Sequence, residues 1–147
     1  MKNKFRFELK KNIYFTCSEK ETFELGQSLG EYLKGDEVIL LVGELGAGKT
    51  VFTKGIAAGL QVEDVNQVCS PSFTLMNIYK ARVPMIHLDL YRLNNGDEIA
   101  DLGWEDYIGE AVIVVEWGEK IHYEASAIQV YLEVQDDFSR KISIERN

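Results

Sequence analysis

Val38-Ile39-Leu40-Leu41-Val42-Gly43-Glu44-Leu45-Gly46-Ala47-Gly48-Lys49-Thr50 runs from five apolar residues through a glycine-rich turn to a lysine and a threonine. With no polar alternation, the apolar run reads as a strand covered on both faces, as in a largely parallel sheet. Beyond the turn, Phe52, Ile56 and Leu60 recur at i, i+4 and i+8, one face of a helix. Strand, turn and helix together make the G-x-x-x-x-G-K-[ST] loop, whose backbone N–H groups converge on a phosphate at the positive end of a helix dipole. In that reading Lys49 neutralises the β- and γ-phosphates and the Thr50 hydroxyl ligates Mg²⁺. The bare pattern arises by chance in roughly one chain in two hundred of this length, and a strand before it and a helix after it make chance rarer. Gly55 and Gly59 each cost about 1 kcal/mol in a helix relative to alanine, so close packing against the sheet is expected to compensate.

Two more apolar runs end in carboxylates. Met85-Ile86-His87-Leu88-Asp89 puts Asp89 where a Walker B aspartate stands beside the phosphate loop, and Val114-Val115-Glu116-Trp117 puts Glu116 at a similar height. Carboxylates there ligate Mg²⁺ directly or through water, or orient an attacking water. His87 reads as a satisfied structural histidine and Trp117 as core. Ser70-Pro71-Ser72-Phe73-Thr74 is rich in hydroxyls and lies between the helix after the phosphate loop and the next strand, a switch position able to sense a γ-phosphate or its metal ion.

The rest of the chain frames these motifs. Phe5, Phe7 and Leu9 alternate with charged residues, and residues 13–17 follow a polar break, so an opening pair of half-buried strands is expected. Ser18-Glu19-Lys20-Glu21 is a capping box, and Leu25, Leu29, Tyr32 and Leu33 share one helical face before Gly35 stops the helix. Short helical pieces near residues 97–102 and 104–107 precede a buried strand at 111–115. Ile128, Val130, Leu132 and Val134 alternate with polar residues, then Asp136-Asp137 turns the chain into a second alternating run, an antiparallel hairpin.

With 147 residues and 46% hydrophobic composition, the chain reads as one domain, residues 1–147, large enough to bury a core without metal or disulfide. Its 24 acidic and 16 basic side chains leave a net charge of −8, which disfavours charge-driven capture of nucleic acid. Cys17 and Cys69 fit no metal or redox spacing and read as reduced, buried small residues. No signal peptide and no apolar run of membrane-spanning length is apparent, so a soluble cytoplasmic protein is expected, with no membrane partner. A GTPase would need N-K-x-D and D-x-x-G segments, but Asn3-Lys4-Phe5-Arg6 lacks the aspartate and Asp89-Leu90-Tyr91-Arg92 lacks the glycine. A small-molecule kinase using the same loop, and a non-hydrolysing module that senses ATP, stay open as alternatives.

The phosphate loop, Ser70-Pro71-Ser72-Phe73-Thr74-Leu75, His87-Leu88-Asp89-Leu90-Tyr91-Arg92-Leu93 and Val115-Glu116-Trp117, in that order, resemble the TsaE (YjeE) family, small bacterial ATPases of tRNA threonylcarbamoyladenosine biosynthesis. The likeness spans residues 22–140. It implies a P-loop α/β fold with a mostly parallel central sheet, flanking helices and antiparallel strands added from both ends of the chain. It also implies Mg²⁺-dependent ATP binding, slow hydrolysis to ADP, and docking on a TsaB–TsaD heterodimer, with tRNA reached only through that complex. Carried over to this sequence, the resemblance gives the phosphates to Leu45, Gly46, Ala47, Gly48, Lys49 and Thr50. The metal falls to Thr50 and Glu116, catalysis to Lys49, Asp89 and Glu116, and the switch to Ser70, Ser72 and Thr74. The adenosine side falls near Ser18, Ser139 and Arg140. Ser72 replaces the family's usual threonine. Gly118 replaces a common proline, which is expected to loosen the chain after Trp117.

Overall fold

The computed structural model describes residues 11–71, 74–123 and 125–146. Seven strands form one sheet: β1 (Lys11–Thr16), β2 (Val38–Val42), β3 (Met76–Tyr79), β4 (Met85–Asp89), β5 (Val112–Glu116), β6 (Ile128–Val134) and β7 (Arg140–Arg146). Their order across the sheet is β1-β7-β6-β2-β5-β4-β3. The four central strands β6, β2, β5 and β4 run parallel, while β7, β1 and β3 are antiparallel to their neighbours. The mostly parallel α/β architecture expected from the sequence is therefore the observed one. The first expected strand, around Phe5 and Leu9, lies outside the described residues. Strand β3, on the far edge, has no counterpart in the sequence reading.

Two helices cover one face of the sheet: α1 (Glu19–Tyr32) and α2 (Lys49–Gly59). Ser18 caps α1, its Oγ accepting from the Glu21 N–H at 3.1 Å, while the Glu21 carboxylate accepts from the Cys17 N–H at 2.7 Å. Leu25 and Leu29 are buried as expected, but the helix ends at Tyr32, which is exposed, and Leu33 is its extended cap. Below the cap, Glu37 is buried and its carboxylate accepts from the N–H groups of Lys34, Gly35 and Asp36, so the turn into β2 is held by a fixed anion.

Strand alternation sorts the core into two layers. Ile39, Leu41, Val112, Val114 and Met85 face α1 and α2 together with Phe52 and Ile56. Val38, Leu40, Ile113, Val115, Ile86 and Leu88 face the other way, toward the short helix α3 (Gly96–Ala100) and Trp104 in a following 3-10 turn.

The glycines of α2 pack against α1, not against the sheet. A Cβ on Gly55 would overlap the Phe23 carbonyl oxygen and stand 2.9 Å from the Gln27 nitrogen; one on Gly59 would overlap the Gln27 carbonyl oxygen. Gly26 and Gly30 of α1 face them, with Gly30 Cβ placed 3.0 Å from Gly59 Cα. The two helices meet backbone to backbone, which only residues without a side chain permit. Cys17 and Cys69 are free and exposed, where burial was expected, because both sit in turns flanking elements and not on their apolar faces.

Candidate functional site

The glycine loop leaves β2 and enters α2 at the carboxyl ends of the parallel strands, the end of an open α/β sheet where ligands bind. Gly46 and Gly48 take positive φ angles of 82° and 103°, which turn successive N–H groups inward. A Cβ at Gly43 would stand 2.7 Å from the Leu132 carbonyl oxygen, so the loop enters tightly against β6. Around it lies a cleft of about 490 Å³, within the usual range for small-molecule sites.

Strand register brings the carboxylates together. Asp89 and Glu116 end adjacent parallel strands and are direct partners in the ladder. Counting by twos from Met85 and from Val112 puts both on the α2 face, where the loop is. The Thr50 hydroxyl donates to Glu116 Oε1 at 2.9 Å. Glu116 is buried, not the solvated strand end its position suggests in isolation. Asp89 is bonded through both oxygens: Oδ1 accepts from the Tyr91 N–H at 3.0 Å and Oδ2 from the Ser70 hydroxyl.

Lys49 is buried at the start of α2. Its Nζ donates to the carbonyls of Gly43 (2.6 Å) and Glu44 (2.9 Å) and lies 4.1 Å from the centre of the Trp117 ring. Burial pushes its pKa below the ordinary lysine value, and the charges of Glu116, Glu119, Asp89 and Glu44 pull part of the way back. Trp117 is half-buried at the mouth of the cleft, stacked at a tilt on Tyr91, with a left-handed φ of 61°. Its indole packs against the second core layer, as the core reading expects, and is at the same time a wall of the site. The chain after it is packed, not loosened: Gly118 is buried, its Cβ position is 2.7 Å from Leu40 Cβ, and a 3-10 turn follows. Lys120 in that turn donates to the carbonyls of Leu90, Tyr91 and Leu93, tying the segment after β4 to the segment after β5.

Not every residue assigned from the sequence reaches the cleft. Ser70 lines it, Ser72 lies outside the described residues, and the Thr74 hydroxyl bonds Asn77 at 2.8 Å on the exposed side. Leu75, with a left-handed φ of 65°, lines the cleft in its place. The Ser18 hydroxyl is engaged as the helix cap, and its neighbour Glu19 is the one that lines the cleft. Ser139 contributes backbone groups to the β6–β7 turn. Arg140 reaches from β7 to the phosphate loop, donating from Nε to the Ala47 carbonyl at 3.1 Å and from Nη2 to the Gly46 carbonyl at 3.2 Å. It also lines a second cavity of about 250 Å³ that adjoins the cleft along Gly46 and Gly48, with Thr22, Val51 and Phe138. Carbonyl and N–H point oppositely across a trans peptide, so holding the Ala47 carbonyl aims the Gly48 N–H away from the guanidinium. Sequence spacing gave no hint of this clasp, which joins residues far apart in the chain.

The donor set fits a Mg²⁺-nucleotide: one hydroxyl and one carboxylate in contact, a second carboxylate beside them, and a cationic lysine and inward amides for phosphates. Among the described residues no cluster of three His, Cys, Asp or Glu forms a cage that would hold a metal by protein ligands alone, and Mg²⁺ in phosphate sites does not need one.

The family model described as Threonylcarbamoyl adenosine biosynthesis protein TsaE matches residues 16–142. The chain belongs to the TsaE family. Among its relatives, the tRNA threonylcarbamoyladenosine biosynthesis protein TsaE of Aquifex aeolicus is 40% identical over 130 residues, covering 88% of this chain and 92% of that protein. The protein of the same name from Nostoc is 39% identical, covering 88% and 83%. Among solved structures, YdiB from Bacillus subtilis matches with a TM-score of 0.72 at 29% identity, covering 95% of this chain and 87% of that one. Among the described residues no helix is long and apolar enough to cross a membrane.

Proposed function

We propose that this TsaE-family chain binds Mg²⁺-ATP at the glycine loop and hydrolyses it slowly, as the ATPase component of threonylcarbamoylation of tRNA. The observation that carries the reading is the convergence of Thr50, Glu116 and Asp89, from three elements, on the space in front of Lys49. Membership of the family supplies the pathway, and the resemblance supplies a TsaB–TsaD heterodimer as the partner, in the cytoplasm.

In this reading the loop amides and Lys49 hold the phosphate chain, with the ammonium shifting from the Gly43 and Glu44 carbonyls to the β- and γ-oxygens. Thr50 and Glu116 hold the metal, which when bound supplies positive charge against the phosphate oxygens. Asp89 acts from beside them, orienting water or the Thr50–Glu116 pair, and its bond to Ser70 couples the site to the segment that follows α2. Arg140 fixes the loop from the second cavity, where the nucleoside end lies. With its net charge of −8, the chain meets tRNA through the partner complex and not alone.

The test combines calorimetric titration with ATP and Mg²⁺ and an ATPase assay with and without the TsaB–TsaD pair. Binding of Mg²⁺-ATP, with ADP release stimulated by the pair and lost in Lys49→Ala, is the expected result. Transfer of the γ-phosphoryl to a small acceptor would replace this reading with a kinase. Tight binding without ADP release under any condition would leave a nucleotide-sensing module.

A further inference from the structure

Behind the carboxylates stands a histidine that none of the chemistry above uses. His87 lies two residues before Asp89 on the same face of β4, completely buried, and its Nε2 is 2.5 Å from Glu116 Oε2. Its Nδ1 is buried without a hydrogen-bond partner among the described residues. The sequence reading of a fully satisfied structural histidine is therefore only half met.

The bond to Oε2 requires a donor on the ring. An ionised carboxylate only accepts hydrogen bonds, so against an ionised Glu116 it is Nε2 that carries a proton. With the proton on Nδ1 instead, a lone pair would face Oε2 and a buried N–H would be left orphaned. The Nε2–H tautomer leaves only a bare lone pair unsatisfied. An apolar side chain among Met85, Val114 and the helices would avoid even that cost, so the gain from the imidazole is its bond to Glu116.

That bond determines what Glu116 presents to the cleft. Its two oxygens are divided: Oε2 is taken by His87 from inside the sheet, and Oε1 faces the Thr50 hydroxyl. We propose that His87 is a positioning residue that holds the Glu116 carboxylate so that it offers one oxygen to the metal, making the site selective for a small cation that takes single carboxylate oxygens. Mg²⁺ binds through one or two carboxylate oxygens and keeps several waters, whereas Ca²⁺ accepts bidentate carboxylates and larger shells. This inference rests on the Mg²⁺-nucleotide reading of the site. It adds a role for a buried residue that does not line the cleft.

The experiment is calorimetric titration of ATP into wild type, His87→Gln, His87→Asn and His87→Leu, each with Mg²⁺, with Ca²⁺ and with chelator, after thermal unfolding confirms the fold. Gln reaches about as far as Nε2 and keeps an N–H donor, while Asn is too short and Leu has none. Loss of a hydrogen bond behind a metal ligand costs about 10- to 100-fold in metal affinity. The expected result is a loss of that size in the Mg²⁺-dependent part of ATP affinity in Asn and Leu, with a narrowed preference for Mg²⁺ over Ca²⁺. Affinity in chelator should change little, and Gln should recover most of the loss. Unchanged metal dependence in both Asn and Leu, or an equal loss with and without metal, overturns the role of His87 and leaves the nucleotide site standing. Wild type that gains nothing from Mg²⁺ overturns both. Nitrogen NMR of the wild-type ring tests the same point without substitution: a protonated Nε2 and bare Nδ1, with Nε2 moving when Mg²⁺-ATP is added but not ATP in chelator, is expected. An Nε2 that carries no proton overturns the proposal.

Discussion

Replacing Gly55 with alanine sets two effects against each other. Alanine in a helix interior is favoured over glycine by about 1 kcal/mol. Against that, the new Cβ overlaps the Phe23 carbonyl oxygen and stands 2.9 Å from the Gln27 nitrogen and 3.0 Å from Gly26 Cα. These are backbone atoms of a helix and cannot swing aside as a side-chain tip would. The helices must part by on the order of 1 Å, opening the close-packed layer between them and the sheet. Overpacking by a methyl group costs about 1–3 kcal/mol, occasionally more, and contact with rigid backbone at several points places this site at the top of that range. A net loss of about 2 kcal/mol lowers the Tm by roughly 4–8 °C for a chain of this size. Gly26→Ala should behave alike, since its Cβ overlaps the Phe52 carbonyl oxygen. The double variant should lose less than the sum, because helices already parted by the first methyl have room for the second. Because α2 begins at Lys49 and Thr50, the displacement should also weaken nucleotide binding. Thermal unfolding followed by circular dichroism decides it. An unchanged or raised Tm in Gly55→Ala, or strict additivity with Gly26→Ala, would refute a backbone-contact interface.

Three further outcomes are expected. Burial lowers the Lys49 pKa, so the free site gives up its proton below the ordinary lysine range, and ATP, which needs the ammonium, must bind more weakly as pH rises through that lowered value. Equilibrium binding between about pH 7 and about pH 10 should show affinity flat at first and then falling; Lys49→Arg, which stays charged, should lack the fall, and a wild-type curve flat throughout would contradict it. Glu116→Gln and Asp89→Asn should each preserve the Tm within a few degrees yet cut partner-stimulated ATPase by 10-fold or more, and the double variant should be little worse, because groups that serve one metal act as a unit; independent, multiplying losses would separate their roles. Arg140→Ala removes hydrogen bonds to the Gly46 and Ala47 carbonyls and should weaken ATP binding about 10-fold with or without Mg²⁺, in contrast to the His87 variants. A defect that appears only with metal would reassign it.

What could be read from the sequence follows the range of the interactions involved. The phosphate loop, its strand and its helix are contiguous, so residues 38–60 announce the fold, and apolar strands ending in Asp89 and Glu116 announce two more sheet positions. Their similar height beside the loop is legible in the sequence; that the two strands are neighbours, with Asp89 directly opposite Glu116, is seen only in the structure. Strand β3 was missed because Met76–Tyr79 is short, half-exposed at an edge, and carries no clean alternation. The glycines of α2 were recognised as needing close contact, but the contact is Gly26 and Gly30, which only the docking of α1 reveals. The bonds of His87 to Glu116, of Lys120 to the segment after β4 and of Arg140 to the Gly46 and Ala47 carbonyls are not legible for the same reason: each acts on groups brought near by the sheet or by a turn, and their own neighbours in sequence carry no trace of it.

The sheet order also constrains how the molecule is made. Strand β2, Val-Ile-Leu-Leu-Val with no charge to blunt its edges, pairs with β5 on one side and β6 on the other, and both follow it by about half the length of the chain. During synthesis it therefore emerges beside a helix pair that buries only one of its faces, with both edges bare, the arrangement most open to pairing with another chain. Strand β1 waits longer still, since among the described residues its one partner is β7, and β7 begins with the residue that grips the phosphate loop. A ribosome-bound chain stalled after β5 would thus hold a sticky, unfinished sheet and a loosely held loop. The final hairpin closes the sheet, protects the most aggregation-prone strand and braces the loop in one step, so nascent-chain protection by chaperones should be needed up to that point and released after it.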